Sequence, residues 1–248
     1  QGITVMSNFV KKILIDNGVK VPIEVCGLGL DHLDSIKIDS KIFKNFKSFK
    51  NFKIVHISSC FKRKGIDILL RAYGSNFSSK DDVSLIIKTF DNPHNYVEEI
   101  LSELKSKNHY FPHVHIIKED MSDVELYSLL SEASLYVAPS RGEGFGLPIG
   151  EAMKLGVPVI TTGWGGQMDF VNTENCWLLD FKFKPAESHF CLDQSYWAEP
   201  SESHLSYLLN KLYYSSDSSV LKKIKTAKNS IRKYTWDFVA ESNLTFVK

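Results

Sequence analysis

A chain of 248 residues can bury one large core or two small ones, since single domains commonly run about 100–200 residues. Its formal net charge of +1 gives no global reason to expect nucleic acid as a partner, because nucleic-acid binders usually carry a strongly basic domain or stripe. No run approaches the roughly 18 apolar residues needed to cross a bilayer, the first residues do not read as a leader, and Cys26, Cys60, Cys176 and Cys191 are dispersed like free thiols of a reducing compartment. The expectation is a soluble cytoplasmic protein, or a soluble piece of a larger one.

In chain order, residues 1–51 carry an amphipathic helix in NFVKKILIDNG, a strand-like VPIEV and a lysine-rich KIFKNFKSFKNFK, too little to make a domain alone. From Phe52 on, short β-rich apolar runs alternate with helical patterns. Strands are expected at 52–59, 83–90, 113–118, 135–140, 157–162 and 176–181. Between them, GIDILLRAY puts Ile66, Leu69, Leu70 and Tyr73 on one face, and NYVEEILSELKSK does the same with Val97, Ile100, Leu101 and Leu104. SDVELYSLLSEA opens with an N-cap Ser122 and a capping-box Glu125. From about His204 the pattern is helical, and its last helix, in TWDFVAESNLTFVK, opens at an N-cap Thr235. Alternation of strand and helix predicts an α/β fold, a doubly wound parallel sheet of Rossmann-like type. Ligands then bind beyond the carboxyl ends of the strands.

PSRGEGFGLPIGEAMKLGVPVITT, residues 139–162, occupies such a position. It follows the strand LYVAPS and opens a helix with Pro148 in the first turn. Gly142, Gly144 and Gly146 lack Cβ atoms, so the backbone can take positive φ and a ligand can come close. Free N–H groups and the positive end of the helix dipole converge there, which suits a phosphate or pyrophosphate. Glu143 in the loop and Glu151 on the first helical turn would repel a phosphate, so they are read as acceptors for hydroxyl groups on either side of it. A molecule with sugar hydroxyls flanking a pyrophosphate is a nucleotide sugar.

EGFGLPIGEA, with PS before it and GVPVITT after, resembles the Glu, seven residues, Glu motif of retaining glycosyltransferases of family 4. HISSCFKRKGIDILLRAY is similar to that family's first strand and helix of the C-terminal domain, and SNFVKKILIDNGVKVPIEVCGLGLDHL to the end of its N-terminal domain and the linker, with Gly29 to Asp31 as the Gly-x-Asp. The resemblance implies the C-terminal half of a GT-B fold. Residues 1–51 would be the end of the N-terminal domain and the linker, 52–234 the nucleotide-sugar-binding domain, and 235–248 a helix returning toward the N-terminal domain. Acceptor recognition, of a glycan or lipid-linked sugar, would fall to a missing N-terminal domain.

Residue by residue, the resemblance implies that Glu143 contacts the transferred sugar and Glu151 the ribose. Backbone N–H groups of Gly144, Phe145, Gly146 and Leu147 would hold the distal phosphate. Lys64 matches the pyrophosphate lysine, whose charge would stabilise the departing nucleoside diphosphate. The family's usual arginine five residues earlier is Ser59 here, while Arg63 stands beside Lys64; either Arg63 reaches the site by another route or fewer charges hold the pyrophosphate. The family implies no cofactor and no required metal. The KRKG and SSCF surroundings look most like mannosyltransferases of bacterial surface-polysaccharide assembly, which implies GDP-mannose as donor and a setting at the cytoplasmic face of the inner membrane.

Outside the motif, Lys88 at a strand's carboxyl edge faces the expected cleft, and the loop GWGGQMDF borders it, either as a ligand contact or as a plain turn. His56, His113 and His115 sit in strands and read as packed or edge residues. Trp197 lies in an aromatic loop that either covers a ligand or packs on the sheet. The lysine–phenylalanine run fits an interdomain linker or peripheral contact with an anionic membrane. A dinucleotide oxidoreductase shares the sheet, but SSCFKRKG stands where its GxGxxG would be. A binding module that holds a nucleotide sugar without turning it over remains the alternative.

Overall fold

The computed structural model describes residues 2–39, 49–188, 194–215 and 218–247. Six strands form one parallel sheet: β3 (Phe52–Ile57), β4 (Val83–Lys88), β5 (His113–Ile117), β6 (Leu135–Ala138), β7 (Val159–Thr162) and β8 (Trp177–Leu179), in the order β5-β4-β3-β6-β7-β8. All six fall within the expected runs. The order reverses between β3 and β6, so a crevice opens at their carboxyl ends.

Helices cover both faces, as a parallel sheet requires. On one face, α2 (Ile66–Asn76), α3 (Val97–Lys107) and α6 (Glu202–Tyr213) pack with Ile54, Leu85, Ile87 and Leu135. The other face carries α4 (Asp123–Ser131), α5 (Leu147–Leu155) and α7 (Ser218–Ser230), packed with Val55, Ile86, Tyr136 and Val159. Neighbours in sequence such as Ile54 and Val55 thus feed opposite cores, which is why these strands read as unbroken apolar runs. Ser122 and Glu125 form the capping box, and Thr235 Oγ1 accepts from the Phe238 N–H at the start of α8 (Trp236–Val247).

Three features differ from the sequence reading. Residues 3–5 form a strand, β1 (Ile3–Val5), which pairs in parallel with β2 (Ile23–Val25) around α1 (Asn8–Asp16); at three residues it is too short to show a period. Beyond β8, β9 (Phe181–Pro185) and β10 (Tyr196–Pro200) make an antiparallel hairpin where a loop was expected, so Trp197 is a buried strand residue. Most of the lysine–phenylalanine run lies outside the described residues, as does Cys191; the other three cysteines are free and buried. Among the described residues no helix is long and apolar enough to cross a membrane.

Candidate functional site

The turn after β3 and the loop after β6 meet at the crevice. Gly65, with φ of +70°, ends the Lys62–Lys64 turn, and a Cβ there would stand 2.0 Å from the Pro139 carbonyl oxygen. Only glycine lets the two segments close so tightly. The contact brings Lys64 to Glu143: Nζ lies 2.7 Å from Oε1 and 2.9 Å from Oε2. Ser140 donates to the same Oε1 at 2.7 Å. Arg63 donates through Nη1 to the Gly142 carbonyl at 2.5 Å and stands 3.6 Å from Glu143 Oε2, so its charge does reach the cluster.

Arg141 fixes that arrangement from beneath and was not singled out by the sequence. It is 3% exposed, and its guanidinium donates to Asp67 at 2.8 Å through both Nη atoms and to Glu199 at 2.6 and 2.9 Å. Nη1 also donates to the Lys62 carbonyl, the backbone N–H of Arg141 donates to the Arg63 carbonyl at 2.7 Å, and the guanidinium lies 4.9 Å over the Trp197 ring. Burial pulls the Arg141 pKa down, but the Asp67 and Glu199 carboxylates hold it above its ordinary value.

Of the three loop glycines, Gly146 alone takes positive φ, +86°, and caps α5. Gly144 serves close approach instead. Met6 Sδ lies 3.0 Å from where its Cβ would stand, and Ser7 Oγ donates to its carbonyl at 2.6 Å. The Glu143 carbonyl accepts from the Gly166 N–H at 2.8 Å, so the GWGG loop braces the motif. The Phe145 ring packs in the core against Phe170 and Tyr234, which leaves only its backbone for a ligand. Among the described residues, the N–H groups of Gly144, Phe145 and Gly146 have no acceptor, and Leu147 opens the helix.

Glu151 falls just past the first helical turn expected for it. It is the fifth residue of α5 and 5% exposed. Tyr127 on α4 donates to its Oε1 at 2.8 Å, and His32 Nε2 lies 3.1 Å from the same oxygen. Burial pushes this carboxyl above its ordinary value, against the pull of those two partners. Neither partner was named from sequence, since nothing in DHLD or ELYS marks them.

Two expected residues make their hydrogen bonds outside the cluster. Lys88 ends β4 and donates to the Thr89 carbonyl at 2.8 Å; the Ser59 carbonyl accepts from Asn92 at 3.0 Å. His56 is fully buried, with Nδ1 2.8 Å from the Val137 carbonyl, and burial lowers its pKa to about 4. It is a packed residue, as expected.

The family described as Glycosyl transferases group 1 matches residues 37–188, more than half of the chain, and the chain belongs to that family. It is 30% identical over 144 residues to the MMP alpha-(1->4)-mannosyltransferase of Mycolicibacterium hassiacum, a match covering 58% of this chain and 34% of that protein. It is also 30% identical over 158 residues to the capsular polysaccharide biosynthesis glycosyltransferase CapM of Staphylococcus aureus, covering 60% and 38%. The chain therefore spans less than half the length of these relatives. Among solved structures, a glycosyltransferase from Rickettsia africae superposes with a TM-score of 0.76 at 19% identity, over 99% of this chain and 62% of that one. The Anabaena protein HepE in complex with UDP-glucose gives 0.72 at 21%, over 98% and 62%. These likenesses establish the fold, that of the GT-B glycosyltransferases.

Proposed function

We propose that the chain is the donor-binding part of a retaining glycosyltransferase that takes a nucleotide sugar, GDP-mannose in the first instance, for polysaccharide or glycan assembly on the cytoplasmic side of a membrane. The observation that carries it is the Lys64–Glu143 pair at the switch point of the sheet, beside N–H groups without acceptors. Arriving phosphate oxygens compete with Glu143 for Lys64 and accept from the loop, and Glu143 turns to the sugar hydroxyls. Lys64 and Arg63 then stabilise the charge that grows on the diphosphate as its bond to the sugar C1 breaks.

In this account the acceptor oxygen bonds to C1 on the face the diphosphate leaves, and its proton passes to the departing phosphate oxygen. No carboxylate serves as nucleophile, and no metal is needed. The mannosyl assignment draws support from the named mannosyltransferase relative. The acceptor would be held by residues outside this chain, with peripheral membrane contact where it is lipid-linked. Calorimetric titration with GDP-mannose, UDP-glucose, UDP-N-acetylglucosamine and NAD tests this reading. Saturable binding of GDP-mannose alone supports it, whereas binding of NAD alone contradicts it. A non-catalytic binding module is favoured only if the whole protein binds donor and transfers nothing.

A further inference from the structure

We infer that His32 is a positioning residue that aims Glu151 at the vicinal diol of a nucleotide's ribose; this rests on the reading of Glu151 as the group that meets that ribose. Both hydrogen bonds to the Glu151 carboxyl fall on Oε1, from Tyr127 at 2.8 Å and His32 Nε2 at 3.1 Å. Oε1 can only accept, so Nε2 of His32 carries the hydrogen. It is shared with the Tyr127 oxygen at 3.2 Å, while the Tyr127 hydroxyl hydrogen goes to Glu151. Two donors on one oxygen stop the carboxyl from turning. Among the described residues, Oε2 has no partner. A nearly buried carboxylate with one oxygen held and the other open is built to accept hydroxyl hydrogens from one direction.

The mounting of His32 points the same way. It stands on the short 3₁₀ turn Asp31–Ser35, whose Leu33 is buried among the residues of the α4 and α5 core. Asp31 accepts from the Trp236 N–H at 2.8 Å, the Leu30 N–H donates to the Tyr234 carbonyl at 2.9 Å, and Lys154 on α5 pairs with Asp34 at 2.8 Å. The first residues of α8 therefore fasten the turn that carries His32. With its side chain 29% exposed, His32 itself contributes little to the core, so its loss leaves the fold standing.

The test is calorimetric titration of the whole chain with GDP and UDP and with their 2′,3′-dideoxy forms. Wild type is expected to prefer a ribonucleotide by about tenfold or more, the worth of hydroxyl bonds to a carboxylate. His32→Ala is expected to cut that preference to about twofold while lowering the melting temperature by only a few degrees, the cost of one donor lost to a nearly buried carboxylate, and His32→Gln, which offers an N–H near the Nε2 position, to restore most of both. Weakening of both forms equally by His32→Ala, or an intact preference, overturns the inference while Glu151→Gln still abolishes the preference. An intact preference in Glu151→Gln overturns the reading of Glu151 itself, and the role of His32 falls with it.

Discussion

Lys64 and Glu143, on segments 79 residues apart, neutralise each other across the crevice between β3 and β6, with both carboxylate oxygens of Glu143 within 2.9 Å of Nζ. Their side chains are 17% and 10% exposed, so the pair is shielded enough to matter more than a surface ion pair. Each holds the other in place until a ligand that offers both an anion and hydroxyl groups separates their tasks.

Glu143→Gln is expected to split those tasks. The amide keeps an acceptor for Ser140 and removes the charge that competes for Lys64. GDP should bind as well as to wild type or more tightly, while the added affinity from the sugar of GDP-mannose falls about tenfold. Parallel titrations with GDP and GDP-mannose check this.

Glu151→Gln is expected to trade function for stability. Burial holds the folded carboxyl above its ordinary value of 4.5. As pH rises through 4.5 the unfolded chain ionises first, and wild type loses stability until the folded carboxyl ionises as well. The glutamine variant, spared this loss, should melt above wild type at neutral pH and match it more closely below pH 4.5. Its ribonucleotide affinity should fall. Thermal melts across pH, paired with titration, measure both.

His56 gives the protein an acid limb of its own. Burial lowers its pKa from 6.5 to about 4, so its contribution to stability is complete above pH 6.5 and is lost as pH falls from there to about 4. Urea unfolding should show a decline over that window of at most about 3 kcal/mol, and His56→Gln should flatten it.

Arg141→Met should destabilise the chain by about 3–5 kcal/mol, because it leaves Glu199 without its cation and Asp67 with Arg71 alone in a shielded site. It also frees the Lys62 carbonyl, so nucleotide affinity should fall together with stability. Denaturant midpoints and titration check the two losses; a variant as stable as wild type contradicts this role.

The sheet was legible because its strands are short β-rich apolar runs and its helices carry a clear apolar stripe, as with Ile66, Leu69, Leu70 and Tyr73. The EGFGLPIGEA stretch was legible because glycine, proline and carboxylate have few common reasons to occur together. What stayed hidden depends on pairing across long separations. Nothing near His32 signals a carboxylate 119 residues away, and Arg141 reads as an ordinary loop charge until Asp67 and Glu199 close around it. Glu151 falls just beyond the first turn expected for it because the helix begins at Leu147, one residue ahead of Pro148. The β9–β10 hairpin escaped because FKFKP alternates over only five residues and YWAEP does not alternate at all.

The most direct test of the central claim, that Lys64 and Glu143 mark the site of a nucleotide sugar's diphosphate and sugar, is calorimetric titration of wild type and Lys64→Ala with GDP-mannose at equal ionic strength. The account predicts one saturable site in wild type and an affinity about 10- to 100-fold weaker in Lys64→Ala, the worth of a charge-assisted contact to phosphate, in a variant that is less stable than wild type but still folded at the temperature of the titration. Equal affinity in the two proteins would contradict it and place the diphosphate elsewhere.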